Sequence, residues 1–285
     1  MADRVSAWIS SLWGGSQLEE YWTHPEAFPL LLAPWWVEEK LSRNPVPPLQ
    51  AELVYSSMMG YYHIRLIDNV MDGDVATDLV LLPILGFFHT QFEGVYRRLF
   101  HHGDPFWEAM LTLWFRCAEV TMLDGSMTDF DLTHFVEIAA QKTSAAKIPV
   151  AAVAYKYGRS DLLPSWFRFL DRFSCWSQMF NDTFDWLDDS FHHKGTFFLS
   201  EATRRKRDNE SLFEWVLRDG LEWGMDTLET WMSELKIQAK DLDCPDAVEY
   251  LDRRSAALAQ RRAVITEGLS NLSKLRSVLD GSLQE

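Results

Sequence analysis

The sequence predicts an all-α protein folded as one helical bundle, and three observations carry that prediction. Apolar residues recur at three- and four-residue spacing along most of the chain. Glycine and proline are scarce, at 14 and 11 of 285 residues, below the roughly 12 % of ordinary globular proteins. No segment alternates apolar and polar residues as a strand would, and no repeat of about 20–50 residues appears. The length would allow one or two domains of about 100–200 residues. With no Pro/Gly/Ser-rich linker to divide it, one domain over 1–285 is expected. A hydrophobic content of 47 % with 13 Trp and 18 Phe excludes disorder and supplies a large core.

Taken in order, the first clear helix is predicted over 48–73, where Gly60 is the only glycine before the end. The pattern repeats over 78–101 and 105–124, separated by the turn-like His102-Gly103-Asp104-Pro105. Thr128-Asp129 reads as an N-cap opening a helix that runs towards Tyr157-Gly158, with Pro149 marking a kink or break. Residues 164–190 form the next helix, with Pro164 in its first turn. Helices over 210–237 and 246–279 complete the set, the last entered by Cys244-Pro245-Asp246.

Charge and cysteine content narrow the functional classes. Lys and Arg total 27 against 42 Asp and Glu, a net charge of −15, which repels phosphate backbones and argues against nucleic-acid binding. Cys117, Cys175 and Cys244 are an odd, widely spaced set, as expected of a reducing, cytoplasmic compartment. Asp3 and Arg4 precede only a short apolar stretch, unlike a secretory signal. The uncharged run Leu79 to Phe92 has 14 residues, and none is longer, so no membrane span is expected.

Two acidic clusters are placed unusually for a solvated surface. Asp68 and Asp72 are four apart, about 40° in helical projection, and Ile64, Tyr61 and Ser57 continue their face towards the N-terminus. An apolar and aromatic stripe ending in carboxylates describes the wall of a pocket with a charged mouth. In the second cluster, Asn181, Asp185 and Asp189 follow at the same spacing. Carboxylates and an amide oxygen suit hard Mg²⁺ and not zinc, and Mg²⁺ is usually held by one or two carboxylates together with substrate phosphates. Solvated helix faces give the same spacing. The pairs His101-His102 and His192-His193 lack zinc-ligand spacing. No nucleophile elbow, phosphate-cradling glycine loop or dinucleotide fingerprint appears.

At these residues the chain resembles the class I isoprenoid synthases, in particular the trans-polyprenyl diphosphate synthase branch. Asp68-Asn69-Val70-Met71-Asp72 resembles the first aspartate-rich motif of that family, and Asn181-Asp182-Thr183-Phe184-Asp185 the second, with the family's Gln at Gln178. Lys142-Thr143 resembles the diphosphate-binding Lys-Thr pair, and Lys194-Gly195-Thr196-Phe197-Phe198-Leu199 the later lysine segment. The match runs over roughly residues 50–205. Asn69 and Asn181 each replace an Asp of the family pattern. The upstream Gly-Lys-Arg segment and the Arg-Arg pair of chain-elongating members are absent. Asn181-Asp182-x-x-Asp185-x-x-x-Asp189 also resembles the metal triad of class I terpene cyclases, with Asp185 in place of Ser or Thr and Asp189 in place of Glu.

The resemblance implies a bundle of the isoprenoid synthase type and several Mg²⁺ ions bound with an allylic prenyl diphosphate. It assigns Asp68, Asp72, Asn181, Asp185 and Asp189 to the metals, and Lys142 and Lys194 to the diphosphate. Tyr61, Ile64 and Ser57 would line the prenyl pocket, with Phe180 a further candidate, and a homodimer is compatible with the family. The expected reaction is ionisation of one allylic diphosphate to a terpene and pyrophosphate. Transfer to a non-isopentenyl acceptor, chain elongation and an inactive regulatory subunit stay open beside it. The basic run Arg204-Arg205-Lys206-Arg207 reads either as a loop closing over diphosphate or as a solvated connection.

Overall fold

The computed structural model describes residues 2–12, 29, 31–71, 79–125 and 127–282; these are 84 % helical, and none of them lies in a strand. The protein is all-α. In chain order the helices are α1 (Ala2–Ser11), α2 (Ala33–Ser42), α3 (Pro47–Met71), α4 (Leu85–Leu99) and α5 (Phe106–Asp124). They continue as α6 (Leu132–Lys142), α7 (Ile148–Lys156), α8 (Leu163–Phe184) and α9 (Trp186–Phe191). The chain ends through α10 (Phe197–Arg205), α11 (Leu212–Trp215), α12 (Leu221–Asp241) and α13 (Pro245–Ser282).

Differences from the expected boundaries have local causes. The helix placed over 78–101 begins as a 3₁₀ segment, Leu79–Ile84, with Pro83 inside it, because proline cannot donate to the α-helical ladder. Thr128-Asp129 is not the N-cap of the following helix. Asp131 takes that role, its carboxylate accepting from the His134 N–H at 2.8 Å and its carbonyl from the Phe135 N–H at 2.9 Å. The break near Pro149 falls before it: the chain leaves α6, makes a 3₁₀ turn over Ser144–Lys147 and enters α7 with Pro149 in the first turn. The helix expected over 164–190 is interrupted at Asp185, and the one over 210–237 contains a π-helical turn, Val216–Gly220.

Cα proximity divides the chain into two compact units. The first comprises Met1–Ser126, Glu137–Ser174 and Leu242–Cys244; the second comprises Met127–Val136, Cys175–Asp241 and Pro245–Glu285. The boundary therefore falls within α6 and within α8.

In the first unit α3 packs along α4. Ser56 donates to the Phe92 carbonyl at 2.9 Å, and a Cβ at Gly60 would lie 2.9 Å from the Phe92 ring. Phe92 stacks on Trp114 with centroids 4.8 Å apart, and Phe100 on Phe106 at 4.1 Å. Glu38 is fully buried and accepts from Gln50 at 2.6 Å, Tyr157 at 2.7 Å and the Val46 N–H at 3.1 Å, which offsets its desolvation. In the second unit the Trp176 indole donates to the Leu228 carbonyl at 2.9 Å, fixing the end of α8 against α12. Phe198, Trp215 and Trp223 pack together beside them.

The helical run Leu79–Leu99 is long and apolar enough, by length and composition, to cross a membrane. The uncharged stretch read from the sequence covers only part of it. Core helices of soluble proteins that share these properties are mostly buried, whereas 28 % of its most apolar window is buried.

Candidate functional site

The predicted residues of the first cluster lie in the first unit. Asp68 is near the end of α3, half-buried, and accepts from Arg65 at 3.1 Å. Asp72 lies outside the described residues. Lys142 occupies the last turn of α6, where its Nζ donates to Asp124 at 2.6 Å, and its carbonyl accepts from the Cys117 thiol at 2.9 Å. Burial pushes the Cys117 thiol pKa up; the charge of Lys142 acts to lower it and that of Asp68 to raise it. Asp68 and Lys142 thus both stand within electrostatic reach of one buried sulfur. The neighbouring Thr143 hydroxyl hydrogen-bonds Ser174.

Asn69 is 6 % exposed. An ionised carboxylate there would carry a larger desolvation cost than a neutral amide does. Ser57 is buried and Ile64 half-buried. Tyr61 packs against the apolar cluster of Trp8, Tyr62, Leu66, Leu81 and Phe88, its ring 6.0 Å from that of Tyr62.

The second cluster lies in the second unit and has a different plan. Asp185 sits at the junction of α8 and α9 with φ −97° and ψ 5°. The four-residue register nevertheless continues: the Asp185 N–H donates to the Asn181 carbonyl at 2.7 Å, and the Asp189 N–H to the Asp185 carbonyl at 3.0 Å. Asn181 and Asp185 are exposed and Asp189 is half-buried. Asp182 is 2 % exposed and points elsewhere, accepting from Gln178 at 2.7 Å and from the Phe197 N–H at 3.1 Å. The motif residue next to Asn181 therefore anchors the start of α10.

Desolvation, and then the charge of Asp188, raise the Asp185 carboxyl pKa; Lys194 and Arg261 act in the opposite sense. Desolvation also raises Asp189, opposed by Lys194 and reinforced by Asp185 and Asp188. Lys194 is held beside them by a tight turn in which His193 has φ 55° and the Lys194 N–H donates to the Asp189 carbonyl at 2.9 Å. Gly195 follows. A Cβ there would lie 2.7 Å from the Met127 carbonyl and 2.8 Å from the Thr128 Cα, so only glycine permits this backbone approach.

Arg261 stands in the basic pair Arg261-Arg262 on α13. Its guanidinium lies 5.0 Å from the Phe180 ring centroid and 5.3 Å from that of Phe184, and its charge reaches Asp185. One face higher, Arg254 lies 4.8 Å over Trp176 and 5.7 Å over Phe180. The signal was present in the spacing: Arg254 and Arg261 are two turns apart on α13, and Trp176, Phe180 and Phe184 repeat every four residues on α8. Phe180 thus meets guanidinium groups. The neighbouring Arg262 pairs with Asp226 at 2.7 Å and Glu229 at 2.9 Å.

Arg204 and Arg205, in the last turn of α10, are engaged within the second unit. Arg204 donates to the Phe130 carbonyl at 2.6 Å and pairs with Asp129 and Glu201; Arg205 pairs with Glu201 at 2.7 Å and covers the Trp223 ring at 4.7 Å.

Among the described residues, no group of three or more His, Cys, Asp and Glu side chains stands ready to hold a metal. The second cluster offers two partly desolvated carboxylates and the Asn181 amide. That set fits Mg²⁺, which retains waters and takes its remaining ligands from substrate phosphate. Compared with known proteins, the sequence matches no family model and no curated protein.

Proposed function

We propose that the protein is a Mg²⁺-dependent synthase with a bundle of the class I isoprenoid type, ionising an allylic prenyl diphosphate to a terpene and pyrophosphate. The observation that carries this reading is the convergence of Asp185 and Asp189 with Lys194 and Arg261 in one exposed cluster. Two carboxylates raised by desolvation and mutual repulsion favour a divalent cation, and two cations beside them favour an anion.

Asn181, Asp185 and Asp189 would hold the metal, with Asp68 and Asp72 in the corresponding role on the first motif. When bound, Mg²⁺ supplies charge stabilisation to the departing diphosphate. Lys194 and Arg261 place fixed positive charge where the leaving oxygens become more negative, a preorganised contribution that needs no rearrangement. Lys142 is a further proposed diphosphate contact, and in the structure its Nζ pairs with Asp124 at 2.6 Å. Ser57, Tyr61 and Ile64 remain the proposed prenyl-facing residues.

The test is incubation with Mg²⁺ and geranyl, farnesyl or geranylgeranyl diphosphate, each with and without isopentenyl diphosphate, reading pyrophosphate release and product mass together. A new terpene from one allylic substrate alone is expected. A longer diphosphate formed only with isopentenyl diphosphate identifies chain elongation instead. No release in any mixture removes the synthase reading and leaves an acceptor-requiring transferase or a non-catalytic subunit.

A further inference from the structure

In the first unit two histidines meet across neighbouring helices. His63 on α3 and His89 on α4 have ring centroids 5.4 Å apart, and Trp114 of α5 lies 5.5 Å from the first and 5.3 Å from the second. Both imidazoles are half-buried, neither sealed from solvent. The His63 Nδ1–H donates to the Leu85 carbonyl at 3.1 Å, which leaves Nε2 as the nitrogen with a free lone pair in the neutral ring. Among the described residues no hydrogen bond engages that nitrogen or either ring nitrogen of His89. Two imidazoles set against the Trp114 ring without partners for these nitrogens form a pair of donors aimed at a shared ligand.

We propose that His63 and His89 together bind one borderline divalent transition-metal ion, with Zn²⁺ as its representative and water completing the coordination. Three features support this class. Zn–N bonds of about 2.0–2.1 Å on a tetrahedral ion place two imidazole ring centres roughly 5 Å apart, close to the separation of this pair. The Leu85 carbonyl fixes the tautomer and orientation of the His63 ring, as the outer partner of a metal-bound histidine does. Burial lowers the His63 pKa, opposed by the Leu85 hydrogen bond and reinforced by His89, which favours the neutral ring that a metal requires. No third His, Cys, Asp or Glu joins them among the described residues, and imidazole donors without carboxylates suit Zn²⁺, Ni²⁺ or Cu²⁺ and not Mg²⁺. A bound ion clips α3 to α4. The inference uses none of the residues proposed for Mg²⁺ and does not rest on the synthase reading.

Isothermal titration of the whole metal-free chain with ZnCl₂, in excess MgCl₂, tests it. Saturable Zn²⁺ binding that Mg²⁺ does not displace is expected, together with a higher melting temperature in Zn²⁺. Zn²⁺ also meets exposed histidines such as His192 and His193, so the variants make the assignment. His63→Gln and His89→Gln should each abolish the tightest binding event and the melting shift. The double variant should lose no more than either alone, because both ligands serve one ion. His63→Gln also gives up the Leu85 contact, whereas His89 makes no hydrogen bond among the described residues. His89→Gln, with metal-free melting and helical circular dichroism like the wild type, is therefore the deciding variant. Unchanged Zn²⁺ affinity in His89→Gln identifies an adventitious ion only and overturns the proposal. Absence of saturable binding to the wild type, or displacement by Mg²⁺, overturns it equally.

Discussion

The Asp182 carboxylate accepts a hydrogen bond from the Phe197 backbone N–H across 3.1 Å, joining the end of α8 to the first turn of α10. An anion at a helix N-terminus satisfies a donor that has no partner within the helix and complements the positive end of its dipole. Because Asp182 is also held by Gln178, the contact fixes the path of the Lys194 turn, which lies between the two joined segments. Asp182→Ala would leave both donors without this acceptor and should cost roughly 3 kcal/mol. Urea denaturation measures it, and Asp182→Asn should recover part of the loss. An unchanged midpoint for Asp182→Ala would exclude this anchoring role.

Gly195→Ala is the second prediction. The added Cβ would press on the Met127 carbonyl and the Thr128 backbone, atoms that cannot swing aside as a side chain can. The expected loss is about 1–3 kcal/mol, together with slower pyrophosphate release because Lys194 is displaced. A variant with wild-type stability would show that the approach relaxes without cost.

The third prediction concerns pH. Asp185 and Asp189 have folded-state pKa values above their ordinary ones, chiefly through desolvation. Folding therefore favours their protonated forms. The stability this provides is fully present below the unfolded carboxyl pKa and is lost as pH rises through the raised folded values. At pH values above that range and without divalent cation the ionised carboxylates repel, so Asp189→Asn should there stabilise the protein by at most about 1 kcal/mol after solvent screening. At about pH 3.5, below the ordinary carboxyl value, the advantage should vanish. Melting temperatures with and without MgCl₂ decide the metal question: Mg²⁺ should raise that of the wild type and leave Asp185→Asn/Asp189→Asn unmoved. Equal shifts in both proteins would place the cation elsewhere.

Arg261 separates catalysis from stability. Its contacts with Phe180 and Phe184 are worth about 0.5–1 kcal/mol at an exposed position. Arg261→Ala should therefore melt close to the wild type, while pyrophosphate release falls about 10²-fold, the scale of losing one preorganised donor to a developing anion. Arg261→Lys should retain part of the rate. A rate within twofold of wild type in Arg261→Ala would confine the residue to packing.

What was legible in the sequence was local. Helical periodicity, the scarcity of glycine and proline, and the four-residue spacing of Asn181, Asp185 and Asp189 depend on neighbours a few residues apart, so the all-α class and the continuity of that register could be read directly. Helix ends were less legible where competing caps stood close together. Thr128, Asp129 and Asp131 are all credible, and the carboxylate that meets the His134 N–H decides among them.

Tertiary structure alone decided which polar residues face inward. Asn181 and Asp182 are adjacent on one helix, yet the first is exposed and the second buried against the start of α10. Nothing in their spacing distinguishes them, because side-chain direction turns about 100° per residue while the partner lies 15 residues further on. The same holds for Arg261, whose aromatic partners are on another helix, and for Lys142, whose charge is met by Asp124. Sequence determines which groups exist and their order along each helix; the desolvation and pairing that set their charge arise only when distant segments pack together.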